Sequence, residues 1–270
     1  MRRCRPLLGT YVEIDADSAD AIEAGYAAIA RVHALMSAHE PDSDVGRINR
    51  FGHLGPVEVH GWTMCVLERA LVWSRRSAGA FDVVRAGKSA VERRLMPLHL
   101  DQPAPEATHW TWLQVQGRAV RLMRPGCVDL GGIAKGFAVD QAVAALRRAG
   151  AAQGLVNAGG DVAAFGCRRW PVTVVHPLTR EPLVEVELRE EALATSAVHT
   201  DGAKDHLAAG SDWISVTARA RKACDADALT KIVWAGAPKL DEILNHCGAA
   251  AFGVSADGVI ESIGPDRLAA

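Results

Sequence analysis

No run of roughly 18 apolar residues occurs anywhere in this 270-residue chain, so it has no expected transmembrane helix. A strong excess of either charge is missing too. The net charge is −2, which removes the basic footprint of a nucleic-acid-binding protein. The opening stretch MRRCRPLLGTYVEI is basic but leads into no long apolar segment, so no signal peptide is expected. The expected compartment is the cytoplasm, or the periplasm if a leader had been removed. The six cysteines, Cys4, Cys65, Cys127, Cys167, Cys224 and Cys247, include no C-x-x-C pair and no metal-finger spacing. They read as buried, reduced thiols packed as small hydrophobes. The ten histidines form no H-x-x-x-H or H-E-x-x-H, and spacing assembles no Ser/His/Asp triad. Low-complexity segments and clear repeats are also lacking.

What is present is a globular composition, 49% hydrophobic and 23% charged, with enough chain for a sizeable core. Residues 7–14 read as a strand. Residues 19–37 carry Ile22, Tyr26, Ile29, Val32 and Met36 at helical spacing, with Ser18 as the N-cap. EPDSDVGRIN reads as a polar loop, 61–77 as a second helix, and 112–124 as a hairpin around Gly117. A helix over 137–149 closes at Gly150. GLVNAGGDVAAFG, RWPVTVVHP, LVEVELRE and 213–220 read as strands. Residues 225–235 and DEILNHCG read as helices, and a last hairpin turns at Asp257-Gly258. The mixture has no regular βαβ period, so the expected class is α+β with largely antiparallel sheet, in one domain over 1–270.

Four stretches carry chemistry. In VDLGGIAKGFAVDQ, Gly131, Gly132 and Gly136 permit close backbone approach and unusual dihedrals at a strand-to-helix turn. The following helix N-terminus suits a phosphate. The spacing is neither a P-loop nor G-x-G-x-x-G, since Lys135 precedes Gly136 and Phe137. NAGGDV, ending in Asp161 and Val162, reads as a bulge in a strand or a close approach to backbone. SAGAFD joins a helix end to an extended segment. CDADALTK puts Asp227 and Lys231 at i, i+4 on one helix face, in the first turn for Asp227. That pair is either a surface ion pair or an acid holding a hard cation such as Mg2+.

These stretches, with LLGTYVEI, DSDVGRIN, GLVNAGGDV and ALATSAV, occur in the order of the ApbE-type flavin transferases, the FAD:protein FMN transferases. The chain resembles that family from about residue 7 to 262. The resemblance implies an ApbE-like α+β fold related to the T-fold, with FAD as substrate, Mg2+, and a target flavoprotein. A threonine or serine hydroxyl of the target would take FMN in phosphoester linkage, and AMP would leave. Flavin-nucleotide contacts are implied at Leu8, Ala80, Phe81, Asp82, Asp129, Gly132, Lys135 and Asp161. Metal binding is implied at the Ala134 carbonyl and Asp227. Asp227, Lys231, His206 and Asn49 are the expected catalytic set, Lys231 by its place on the Asp227 helix face rather than by the resemblance. Hydrolysis of FAD to FMN and AMP, and FAD binding without turnover, remain alternatives. Two features depart from the family pattern. Lys231 stands where a threonine is usual, with Thr230 one place early. The segment DHLAAGSD lacks the Asp-Pro-x-Thr-Gly that usually follows the histidine.

Overall fold

A computed structural model describes residues 1–85, 108–198 and 211–264. The chain forms two compact units. One comprises Met1–Ala30 and Lys135–Ala270, the other Arg31–Ala134.

The first unit is built on an eight-stranded sheet, ordered β1-β2-β8-β9-β12-β13-β14-β15 and paired antiparallel throughout. Its strands are β1 (Arg2–Leu7), β2 (Thr10–Ala16), β8 (Gly154–Ala158), β9 (Asp161–Phe165), β12 (Ala192–Ala197), β13 (Trp213–Ala220), β14 (Ala250–Ser255) and β15 (Ile260–Ile263). The single strand expected at 7–14 is therefore a hairpin. Leu7 pairs with Thr10, leaving Leu8 and Gly9 as a two-residue turn with φ of 56° and 70°. The NAGGDV bulge is likewise a turn. Ala158 pairs with Asp161, and Gly159 and Gly160 have φ of 60° and 97°. Positive φ at both central residues is the requirement of a type I′ hairpin, which Gly-Gly meets without steric cost. A side chain at Gly159 would also meet Thr10 Oγ1 at 2.6 Å.

A separate hairpin, β10 (Trp170–Val175) with β11 (Pro182–Leu188), adds to one core of this unit. There Trp170, Val174, Val186 and Leu188 pack with Val162, Leu193, Phe252 and Val254. The helices α4 (Ala134–Arg148), α5 (Ala223–Trp234) and α6 (Leu240–Cys247) complete it, with α5 in contact with β9, β12, β13 and β14.

The second unit holds the three-stranded sheet β3-β6-β5 (Val57–Glu58, Ala119–Leu122, Leu113–Gln116) and the pair β4 (Val84–Arg85) and β7 (Cys127–Val128). Helix α1 (Ala19–Met36) crosses the boundary between the units. Its stripe Ile22, Tyr26, Ile29, Val32 and Met36 is buried as the periodicity predicts, and Ala21 N donates to Ser18 Oγ at the cap. Helix α3 (Gly61–Arg76) carries Trp73 near its C-terminal end, fully buried. The segment read as a polar loop contains helix α2 (Asp44–Phe51). Ser43 Oγ caps it by accepting from Gly46 N at 2.8 Å, and Val45 and Ile48 have no exposed surface. Eight residues are too few to be helical by propensity, so packing decides.

All six cysteines are thiols, as expected. Their burial is not: Cys4, Cys65 and Cys167 are exposed, while Cys127 and Cys224 are buried.

Candidate functional site

Helix α4 begins at Ala134, three residues earlier than expected, and so takes in Lys135 and Gly136. Gly136 has an ordinary φ, and its value lies in its small size. A Cβ there would stand 2.2 Å from Ala223 O, so only glycine lets α4 meet the start of α5. One turn on, Asp140 accepts from Ala223 N at 2.9 Å and Cys224 N at 3.0 Å. It caps α5 from outside, a need left open by Lys222, whose side chain makes no cap bond. Burial still pushes the Asp140 carboxyl up to about 6, since two amides do not replace full hydration.

Because α5 starts at Ala223, Asp227 lies in its second turn rather than its first. Asp227 is fully buried. Its Oδ2 accepts from Gly136 N at 3.2 Å, and its Oδ1 pairs with Lys231 Nζ at 2.5 Å. The pair is interior, not a surface one: the Lys231 side chain is 12% exposed. Lys231 also donates to Ser196 Oγ on β12 at 2.8 Å. Thr230 donates to Asp227 O at 2.7 Å, so its hydroxyl proton is spent. The 2.7 Å contact between Ser196 and Thr230 must then run from Ser196 to Thr230. The relay is thus Lys231 to Ser196 to Thr230 to the Asp227 carbonyl, with every hydroxyl both giving and accepting.

Asp161, just past the Gly-Gly turn, faces the same group. It is 1% exposed, and its Oδ2 accepts no hydrogen bond among the described residues. Lys135 Nζ stands 3.5 Å from that oxygen. Burial, and then the Asp227 carboxylate, push the Asp161 carboxyl up to about 7 against the pull of Lys135 and Lys231. Lys135, Asp161, Asp227 and Lys231 thus form a group of two acids and two ammonium ions, with Lys135 the more exposed lysine at 31%. Leu8, also in this unit, keeps a left-handed φ that a branched side chain adopts at a cost.

In the second unit, Asn49 sits in helix α2, fully buried. Its amide donates to Val128 O at 3.0 Å and accepts from Val128 N at 2.6 Å, which fixes the strand before Asp129. Asp129 Oδ1 accepts from Gly131 N at 2.9 Å and shapes the turn that holds Gly132 ahead of Ala134. Ser77 Oγ accepts from Phe81 N at 3.0 Å and donates to Trp73 O, closing the SAGAFD turn through Ala78 and Gly79 at φ of 52° and 87°. Ala80 is half-buried, and Phe81 belongs to the core. Asp82 Oδ1 accepts from Val84 N, and burial raises its pKa. His206 lies outside the described residues. Sequence reading passed over Ser196 and Asp140; it gave Gly136 a close backbone approach, whose partner is the start of α5. ALATSAV did flag the Ser196 strand, but nothing in it marks the serine.

The ApbE family profile matches residues 8–252. The chain belongs to the ApbE family. It is 28% identical over 251 residues to the FAD:protein FMN transferase of Treponema pallidum (strain Nichols), spanning 77% of this chain and 69% of that protein. It is also 28% identical over 170 residues to the FAD:protein FMN transferase of Haemophilus influenzae, spanning 48% of that protein. The fold superposes on the flavin transferase ApbE from Vibrio cholerae with a TM-score of 0.80 at 19% identity, covering 99% of this chain and 97% of that one. The ApbE protein from Thermotoga maritima gives 0.82 at 24% identity, covering 97% and 96%. The fold is therefore the ApbE fold, α+β with largely antiparallel sheet, as the resemblance implied. No helix among the described residues is long and apolar enough to cross a membrane.

The donor set at Asp227 does not fit the divalent ion that the resemblance implied for this ApbE chain. A hard dication is held by several oxygen ligands and is repelled by a cation already at the site. Here one Asp227 oxygen is paired with the Lys231 ammonium at 2.5 Å, and the other accepts the Gly136 amide. Ala134 is the first residue of helix α4. Asp161 Oδ2 faces Lys135, and no group of three or more His, Cys, Asp or Glu able to hold a metal occurs among the described residues.

Proposed function

We propose that this chain is an FAD:protein FMN transferase. The observation that carries the reading is the ApbE family match over residues 8–252, in a chain whose curated relatives bear that name. In the proposed reaction, a threonine or serine hydroxyl of a target flavoprotein attacks the FMN phosphorus of FAD. The new phosphoester bond forms as the bond to the bridging oxygen breaks, and AMP departs with that oxygen. The hydroxyl proton passes to solvent or to a nearby base.

Transfers of this kind gather negative charge on the leaving phosphate, and fixed positive groups in a dry site meet that demand best. The ammonium ions of Lys135 and Lys231 are such groups, one half-exposed and one held inside. Asp161 Oδ2, 3.5 Å from Lys135 Nζ, is a further acceptor for a hydroxyl or N–H of the nucleotide. From the resemblance, nucleotide contacts are expected at Leu8 in the first unit and, in the second, at Ala80 to Asp82 and Asp129 to Gly132. Magnesium is implied by the resemblance, whereas the Asp227 carboxylate already has the Lys231 ammonium as its counter-ion.

The test is incubation with FAD, with and without a flavoprotein domain that offers an exposed threonine. The expected result is AMP release only with the acceptor, matched by flavin fluorescence that stays on the acceptor band under denaturing conditions. AMP without acceptor would make the enzyme a hydrolase. No AMP in either case, across acceptors, would reject catalysis.

A further inference from the structure

We infer that Lys231 is the resident cation of the Asp227 carboxylate, so that this chain binds its nucleotide diphosphate without a divalent ion there. The inference rests on the FAD reading above for the identity of the nucleotide, but its first half concerns the apo-protein alone.

Three observations carry it. First, the ammonium is held on two sides, by Asp227 Oδ1 at 2.5 Å and Ser196 Oγ at 2.8 Å. The serine is tied in turn to Thr230, and Thr230 to the backbone of Asp227. To admit a metal, Lys231 would have to leave a carboxylate with no exposed surface and break this chain of hydroxyls. Second, each acid of the group already has an ammonium beside it, Lys231 at Asp227 and Lys135 at Asp161. A dication at Asp227 would sit beside an ammonium with little water to screen the repulsion. Third, Asp161 Oδ2 is buried and faces the half-exposed Lys135 ammonium as an ion pair at 3.5 Å, so an acceptor and a cation stand side by side next to the Asp227–Lys231 pair. An ammonium cannot ligate a metal, but it can meet a phosphate oxygen directly, as a point charge.

The experiment uses the whole chain stripped with a chelator. Mn2+ is titrated as a spectroscopic probe by electron paramagnetic resonance, and FAD affinity is measured by flavin fluorescence in EDTA and in Mg2+. The wild type is expected to bind no stoichiometric Mn2+, and its FAD affinity to agree within about twofold in the two buffers. Lys231→Thr opens the carboxylate. It should gain one Mn2+, lost again in Lys231→Thr/Asp227→Asn, and its FAD binding should weaken tenfold or more in EDTA. One Mn2+ bound by the wild type and lost in Asp227→Asn would overturn the inference. So would a tenfold loss of wild-type FAD affinity in EDTA, or a folded Lys231→Thr that gains no Mn2+. If Lys231→Thr does not fold, the wild-type measurements still decide. Absence of FAD binding in every buffer would reject the FAD reading instead, while the Mn2+ titration would still judge the role of Lys231.

Discussion

Asp161 is the residue whose chemistry the fold alters most. A carboxyl on an exposed loop ionises near 3.8, whereas burial and the neighbouring Asp227 raise this one to about 7. The folded state therefore holds the Asp161 proton more tightly than the unfolded chain does. Its contribution to stability is complete below the unfolded value and is lost as pH rises through about 7. Asp161→Asn keeps the shape and removes the titration. In urea unfolding at a series of pH values, the wild type should lose stability relative to Asp161→Asn between about pH 4 and 7. Parallel curves for the two proteins would mean that Asp161 carries no such shift. Leu8 is the other residue under constraint, held at φ 56° in a turn where glycine or asparagine would rest without strain.

At the scale of elements, the junction of α4 and α5 organises the cluster. Gly136 allows the contact, Asp140 caps the first amides of α5, and the Gly136 amide reaches Asp227 one turn further along. The cap is supplied by one helix to another, so its loss should act locally. Asp140→Ala should destabilise the protein by about 1–2 kcal/mol, the usual cost of removing a helix cap. Amide exchange should accelerate at Ala223 and Cys224, whose N–H groups it binds, with distant strands unaffected. Unchanged exchange at those two amides would show that water caps α5 just as well.

For the molecule as a whole, the eight-stranded sheet combines local and long-range pairings. Its hairpins β8–β9, β12–β13 and β14–β15 join near neighbours, but β2 must find β8, with Val12 against Ala158 and Ile14 against Val156. Long-range pairing of this kind is slow, because loop-closure entropy is lost before contacts form. Ile14 has no exposed surface. Ile14→Val should cost about 0.5–1.5 kcal/mol. If β2 docks late, most of that loss should appear as faster unfolding rather than slower refolding in stopped-flow measurements. A matching fall in the refolding rate would place β2 in the folding nucleus.

Much of this fold follows from local pattern. The stripe of α1, the Trp73 helix, the hairpin at Gly117 and the closing hairpin at Gly258 are set by periodicity and turn chemistry, which act over a few residues. The order of the short motifs along the chain was enough to point to the ApbE family. Local pattern failed where packing decides. Helix α2 is too short for propensity to reveal, and the paired glycines of NAGGDV read equally as a bulge or a turn until a partner strand fixes the register. The sequence put Asp227 and Lys231 on one helix face, since i, i+4 spacing does so in any helix. It could not say whether that face meets water or the interior. Only the packing of α5 on β9 and β12 buried the pair, brought Ser196 to the ammonium and set Asp161 beside it. Dielectric and desolvation belong to a position in space rather than to a residue type, so the charge state of the cluster was decided by the tertiary structure alone.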